Sequence, residues 1–131
     1  MATPHDADTL AGLRVLLVED EYLVARGLRR LLADAGATVF GPVGTFADAR
    51  AALAAEAIDV VLLDIALRNE EESYALADEL VAAGRPFAFV TGYDRSVLPE
   101  RFAGTPWVGK PFSQHAIARA VRTAMGSGAV E

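Results

Sequence analysis

The sequence predicts a doubly wound α/β fold: a five-stranded parallel sheet in strand order 2-1-3-4-5, with helices on both faces and a short or irregular fourth helix. Three observations lead there. Apolar runs of strand length alternate five times with segments of helical period. The strand runs, such as RVLLV, VVLLD and FAFVT, are almost continuously apolar, as burial on both faces requires. The turns between them are short, and right-handed crossovers then place the switch point between strands 1 and 3.

The first strand is read as Leu13–Glu19. The first helix, Glu21–Ala35, puts Val24, Leu28, Leu31, Leu32 and Ala35 on one face, and Gly36 stops it. The second strand, Thr38–Pro42, belongs at a sheet edge because proline cannot donate to a ladder. The second helix opens at Thr45, with Asp48 three residues on as in a capping box, and runs to about Ala57. Asp59–Asp64 is the third strand. The third helix covers about Ser73–Ala83 and stops at Gly84, with Arg85-Pro86 following. Glu70, Glu71 and Glu72 stand just before or in its first turn, where the helix dipole favours negative charge. The fourth strand is Phe87–Thr91 and the fifth Trp107–Gly109. Between them Pro99, Gly104 and Pro106 leave room for only a turn or two around Ser96–Phe102. The last helix begins after Ser113, with Ile117, Val121 and Ala124 inward.

A chain of 131 residues fits one domain, taken as residues 12–126 between flexible tails at 1–11 and 127–131. Its hydrophobic share of 53% argues against disorder. The absence of cysteine excludes disulfides and thiolate metal sites and is compatible with a reducing cytosol. The first residues, MATPHDADTLAG, have neither the basic region nor the apolar core of a secretory signal. No apolar run approaches the ~18 residues of a membrane span. A net charge of −6 opposes non-specific binding to nucleic acid. The expectation is a cytoplasmic domain with no membrane and no nucleic-acid partner.

The chemistry lies at the strand ends. RVLLVEDE delivers Glu19 and Asp20 there, and DVVLLD delivers Asp64. A lone acid after a strand more often only marks where the strand leaves the core. Two neighbouring strands ending in acids change the odds. Three carboxylates in one crevice repel, so at least one should have a raised pKa unless a cation sits among them. Oxygen-only ligands in small number suit Mg²⁺. A carboxylate so placed can accept a phosphoryl group. Lys110, in VGKPF, arrives on another strand and can bind the phosphoryl oxygens, although a lysine at a strand end is commonly just solvated.

With FVTGY (Phe89–Tyr93) between them, these segments resemble the receiver domain of two-component response regulators, from about Leu13 to Met125. The resemblance implies a flavodoxin-like fold and a phosphoaspartate at Asp64. It implies Mg²⁺ bound directly by Asp20 and Asp64, through water by Glu19, and by the backbone carbonyl of Ala66, where receivers often have Asn. It implies that Lys110 pairs with the phosphoryl group, and that the Lys110–Pro111 peptide is cis. Thr91 would bond a phosphoryl oxygen, and Gly92 would leave space for phosphoryl entry. Trp107 stands where receivers place a rotating aromatic, usually Tyr or Phe, that fills space vacated by the threonine. A tryptophan there is equally well a core anchor. FVTGY and KPF also resemble the general-stress-response subgroup of alphaproteobacteria, whose strand 4 signature is close to Phe-Ala-Thr-Gly-hydrophobic-Tyr. Val90 and Asp94 depart from that signature.

Other features have plainer readings. His5 and His115 are surface residues, and Glu21 is a favourable charge in the first turn of its helix. Gly41, Pro42 and Gly44 lack phosphate-loop spacing and read as turn residues. The resemblance therefore implies a single-domain response regulator that takes a phosphoryl group from a histidine kinase or histidine phosphotransfer protein. It would signal through contacts with a downstream protein that the sequence does not name. Beyond its own phosphorylation and autodephosphorylation it would be no enzyme. Few residues follow the last helix, so output is expected through protein contacts, through competition for phosphoryl groups, or through a domain outside these residues. The alternative is a degenerate receiver, a phosphorylation-independent interaction module, against which the intact set Glu19, Asp20, Asp64, Thr91 and Lys110 weighs. A flavodoxin-like nucleotide-binding enzyme is disfavoured by the missing phosphate loop.

Overall fold

The computed structural model describes residues 9–65, 70–92 and 98–126. Ala66, the departing Asp94, His5 and the tails 1–8 and 127–131 lie outside the described residues. The elements are β1 (Arg14–Val18), α1 (Tyr22–Asp34), β2 (Thr38–Val43), α2 (Phe46–Ala55), β3 (Val60–Asp64), α3 (Glu70–Ala82), β4 (Phe87–Thr91), β5 (Trp107–Gly109) and α4 (Gln114–Ala124). All pairings are parallel, and the order is β2-β1-β3-β4-β5, as expected.

Alternation along each strand divides the core into two layers. Val15 and Leu17, Val60 and Leu62, and Ala88 and Val90 face α1 and α4. Leu16 and Val18, Val61 and Leu63, and Phe87 and Phe89 face α2 and α3. This two-sided burial is why the strands read as continuous apolar runs. Thr45 caps α2 by accepting from the Asp48 amide at 3.0 Å, and Ser113 caps α4 by accepting from Ala116 at 3.1 Å.

Between β4 and β5 the described residues hold one turn of 3-10 helix, Glu100–Phe102. Proline and glycine forbid more, as the sequence predicts. Phe102 is buried and stacks on Tyr74 at 5.7 Å. Arg101 reaches α3 with a two-pronged pair to Asp78, at 2.9 and 3.1 Å. This segment is thereby tied to α3 by packing between residues distant in sequence.

Element ends differ from the sequence reading by a residue or two in several places, and four differences matter more. Leu10, expected within a tail, is buried, and its amide bonds to the Ala35 carbonyl at 2.7 Å. A single leucine among polar residues has no period to reveal it, and only the end of α1 shows its slot. α3 begins at Glu70, a turn earlier than Ser73. On α1 the buried face is Ala25, Leu28 and Leu32, with Val24 and Leu31 at its margin. β2 continues through Pro42 to Val43 with a break in register. The Lys110–Pro111 peptide is cis, as the resemblance implies, and so is Gly41–Pro42.

Candidate functional site

The acids meet because of strand parity. Glu19 continues the side of β1 that carries Val15 and Leu17, and Asp64 continues the Val60–Leu62 side of β3. With β1 and β3 paired, carboxylate oxygens of Glu19, Asp20 and Asp64 lie within 4.8 Å of one another. Glu19 and Asp64 are each 2% exposed, whereas Asp20 faces solvent. Crowded carboxylates were expected to raise at least one pKa unless a cation sits among them, and without a cation the raised one is Glu19. Burial, and then the neighbouring Asp64 carboxyl, push its pKa up to about 8, against the opposing pull of the Glu21 amide and the Lys110 charge.

One oxygen of Glu19, Oε2, accepts from the Glu21 amide at 3.1 Å. The other, Oε1, is buried without a hydrogen-bond donor. A buried acceptor left unsatisfied is costly, and a cation is one remedy. The donor set is all oxygen, sits at the strand carboxyl ends, and has one open, solvent-facing member in Asp20. It therefore fits Mg²⁺ on the chemistry of its ligands.

Lys110 enters from the end of β5, and its amide donates to the Thr91 carbonyl at 3.0 Å. Its ammonium stands 3.7 Å from Glu21. The sequence reading placed Glu21 in the first turn of α1. It is instead the residue preceding that turn, makes no side-chain cap, and faces Lys110. Local sequence could not show this, because the partner arrives from β5. Both groups are partly solvated, so the pair contributes little to stability.

Thr91 is buried at the end of β4. Gly92 adjoins the Lys110 stem, where an added methyl would make an ordinary 3.8 Å contact with Cδ. Trp107 is half-buried against the α3-side core, with its ring over Gly109. His115 is exposed on α4, as expected.

Sequence reasoning missed Ser73. It is fully buried in α3, and its hydroxyl donates to the Asp64 carbonyl at 2.9 Å, holding the main chain of the central acid. No local signal marks it, since a serine near a helix start is commonplace. Ser73→Ala should lower stability by roughly 1–2 kcal/mol through that lost bond. Urea unfolding will measure this, and an unchanged midpoint would show that the bond contributes nothing.

No protein-family model matches the sequence, and no curated protein matches it. Solved structures do. The chain is 35% identical to SdrG from Pseudomonas melonis Fr1, solved in solution in its BeF3-activated conformation, with a TM-score of 0.76 over 89% of this chain and 99% of that one. The PhyR response regulator REC domain of Erythrobacter litoralis, solved by NMR, is 26% identical over 90% of this chain and 93% of that one, with a TM-score of 0.76. The PhyR stress response regulator solved at 1.25 Å resolution is 27% identical, with a TM-score of 0.68, over 92% of this chain and 47% of that one.

Proposed function

Since the chain belongs to the response regulator receiver family, we propose that it accepts a phosphoryl group on Asp64 in a Mg²⁺-dependent reaction and signals through protein contacts. The donor is the phosphohistidine of a histidine kinase or histidine phosphotransfer protein. The observation that carries this reading is the convergence of Glu19, Asp20 and Asp64 within 4.8 Å, with Lys110 beside them. The likeness to the PhyR stress response regulator is in keeping with the stress-response subgroup read from strand 4.

In the transfer, an Asp64 carboxylate oxygen attacks phosphorus. The P–N bond to the donor imidazole breaks, and its electron pair returns to that nitrogen. The lysine ammonium leaves exposed Glu21 for the phosphoryl oxygens, which carry the greater charge. The Thr91 hydroxyl donates to one of those oxygens. Asp20 and Asp64 would hold Mg²⁺ directly, with Glu19 through water and the main chain of Ala66. Bound there, the ion supplies positive charge against the phosphoryl oxygens. Water later cleaves the P–O bond and restores Asp64, and no diffusible substrate is turned over.

Tyr22 and Leu23, 71% and 75% exposed at the start of α1, border the acids. They give a protein donor apolar surface to rest on, which a small phosphodonor does not need. Such donors place the domain in the cytoplasm. Among the described residues no helix is long and apolar enough to cross a membrane. The rival reading, a phosphorylation-independent module, gains nothing from the intact acid set.

Mg²⁺ that binds only the folded state must raise stability, by about 1.4 kcal/mol at ten times Kd. Thermal melts should therefore rise with Mg²⁺ in the wild type and lose most of that rise in Asp20→Ala. Equal rises in both proteins would place the ion elsewhere.

A further inference from the structure

The end of β2 is built around the acids. Its sequence, TVFGPV, carries a proline that has no N–H for a ladder. In the observed register Leu16 pairs with Phe40 and Val18 with Val43, so two steps along β1 meet three along β2. Without that extra residue, Pro42 would fall opposite Val18, where an N–H is wanted. With it, Val43 takes the position, and its carbonyl accepts from the Glu19 amide at 2.8 Å. The bulge therefore reaches one residue beyond β1, to the first acid.

Gly41 makes the bulge feasible. Its φ is +96°, and a β-carbon there would lie 2.7 Å from the Leu17 carbonyl oxygen and 2.9 Å from the Val43 nitrogen. Arg29, from α1, donates one guanidinium nitrogen to the carbonyls of both Val39 and Gly41. These are the carbonyls that alternation turns away from β1, and among the described residues β2 is the sheet edge, with no further strand to satisfy them. Gly44 follows. A β-carbon on it would sit 3.3 Å from Cβ and 3.5 Å from Cα of Asp20. Gly41 and Pro42, read as turn residues, lie instead within β2, while Gly44 is in the connection to α2 with a backbone that is not left-handed, so no strained φ requires the glycine. What the missing side chain leaves room for is Asp20.

We propose that the bulged end of β2 is a positioning element for the metal-binding acids: Val43 holds Glu19 through its carbonyl, Gly44 sets where Asp20 stands, and Arg29 holds the bulge in place. The inference rests on the Mg²⁺ reading above. Magnesium demands near-ideal octahedral geometry, so a ligand displaced by a few tenths of an ångström binds it poorly.

Gly44→Ala isolates the claim, because the backbone accepts alanine and the added methyl meets only Asp20. Gly104→Ala is the control, since nothing lies within 4 Å of the methyl it adds. Mg²⁺ affinity is read from melting temperature against Mg²⁺ concentration, beside melts in EDTA. Gly44→Ala should weaken Mg²⁺ roughly tenfold, in the range found for groups that orient metal ligands. Its melt in EDTA should stay close to that of the wild type, which a merely structural role would not predict. Arg29→Ala should weaken Mg²⁺ in the same sense, and Arg29→Lys, which keeps a cationic donor, should recover part of the loss. Gly44→Ala binding Mg²⁺ as tightly as the wild type and Gly104→Ala would overturn the positioning role while leaving the Mg²⁺ site standing. A wild type that binds no Mg²⁺ would overturn the site and the positioning role together.

Discussion

Asp64→Asn is expected to abolish phosphorylation outright. Wild-type protein treated with acetyl phosphate and Mg²⁺ should gain one phosphoryl adduct in intact-mass analysis, and the variant none. The reason lies in placement. Among the described residues Asp64 is the acid at the end of β3, the central strand, and it is 2% exposed. Asparagine keeps its size but has no anionic oxygen to attack phosphorus. Neither neighbour takes its place, because Glu19 ends β1 rather than β3 and is buried, and Asp20 stands in solvent. The fold should survive, since the variant removes one of three mutually repelling carboxylates. An adduct of equal yield on Asp64→Asn would move the acceptor elsewhere.

The second large effect is on stability. Glu19 has its pKa raised from 4.5 to about 8 in the folded, metal-free protein. Below pH 4.5 the folded and unfolded states both carry the proton, and this group imposes no penalty. As pH rises from there towards 8, the unfolded chain releases its proton while the folded one retains it, so stability falls. Above pH 8 the loss is complete. A shift of this size corresponds to a few kcal/mol, on the order of 1.4 per unit. Urea unfolding in EDTA should therefore show a clear drop in midpoint between pH 5 and pH 8.5. Glu19→Gln, neutral throughout, should flatten that profile. Saturating Mg²⁺ should also reduce the drop, because the cation replaces the proton in offsetting the buried charge. An identical pH profile in Glu19→Gln would assign the effect to another group.

The elements set by local chemistry were legible in the residues. β4 and β5 match their expected bounds, and Thr45 and Ser113 cap the helices they were expected to open. The acid set was legible too, because an apolar run that ends in a carboxylate declares where the strand leaves the core. Residues whose partners lie far along the chain were not. Leu10 is one apolar residue without a period, and Ala35 completes its place. Glu21 reads as a helix-start acid until β5 brings Lys110 to it. Ser73 and Gly44 look ordinary, and only their distances to Asp64 and Asp20 mark them. By itself, then, the sequence determined the strand order, the two-sided core and the identity of the acids, since periodicity and strand parity are properties of neighbouring residues. The tertiary structure alone decided which carboxyl holds the proton and what braces the acids. Burial, and contact across tens of residues, exist only once the chain has closed on itself.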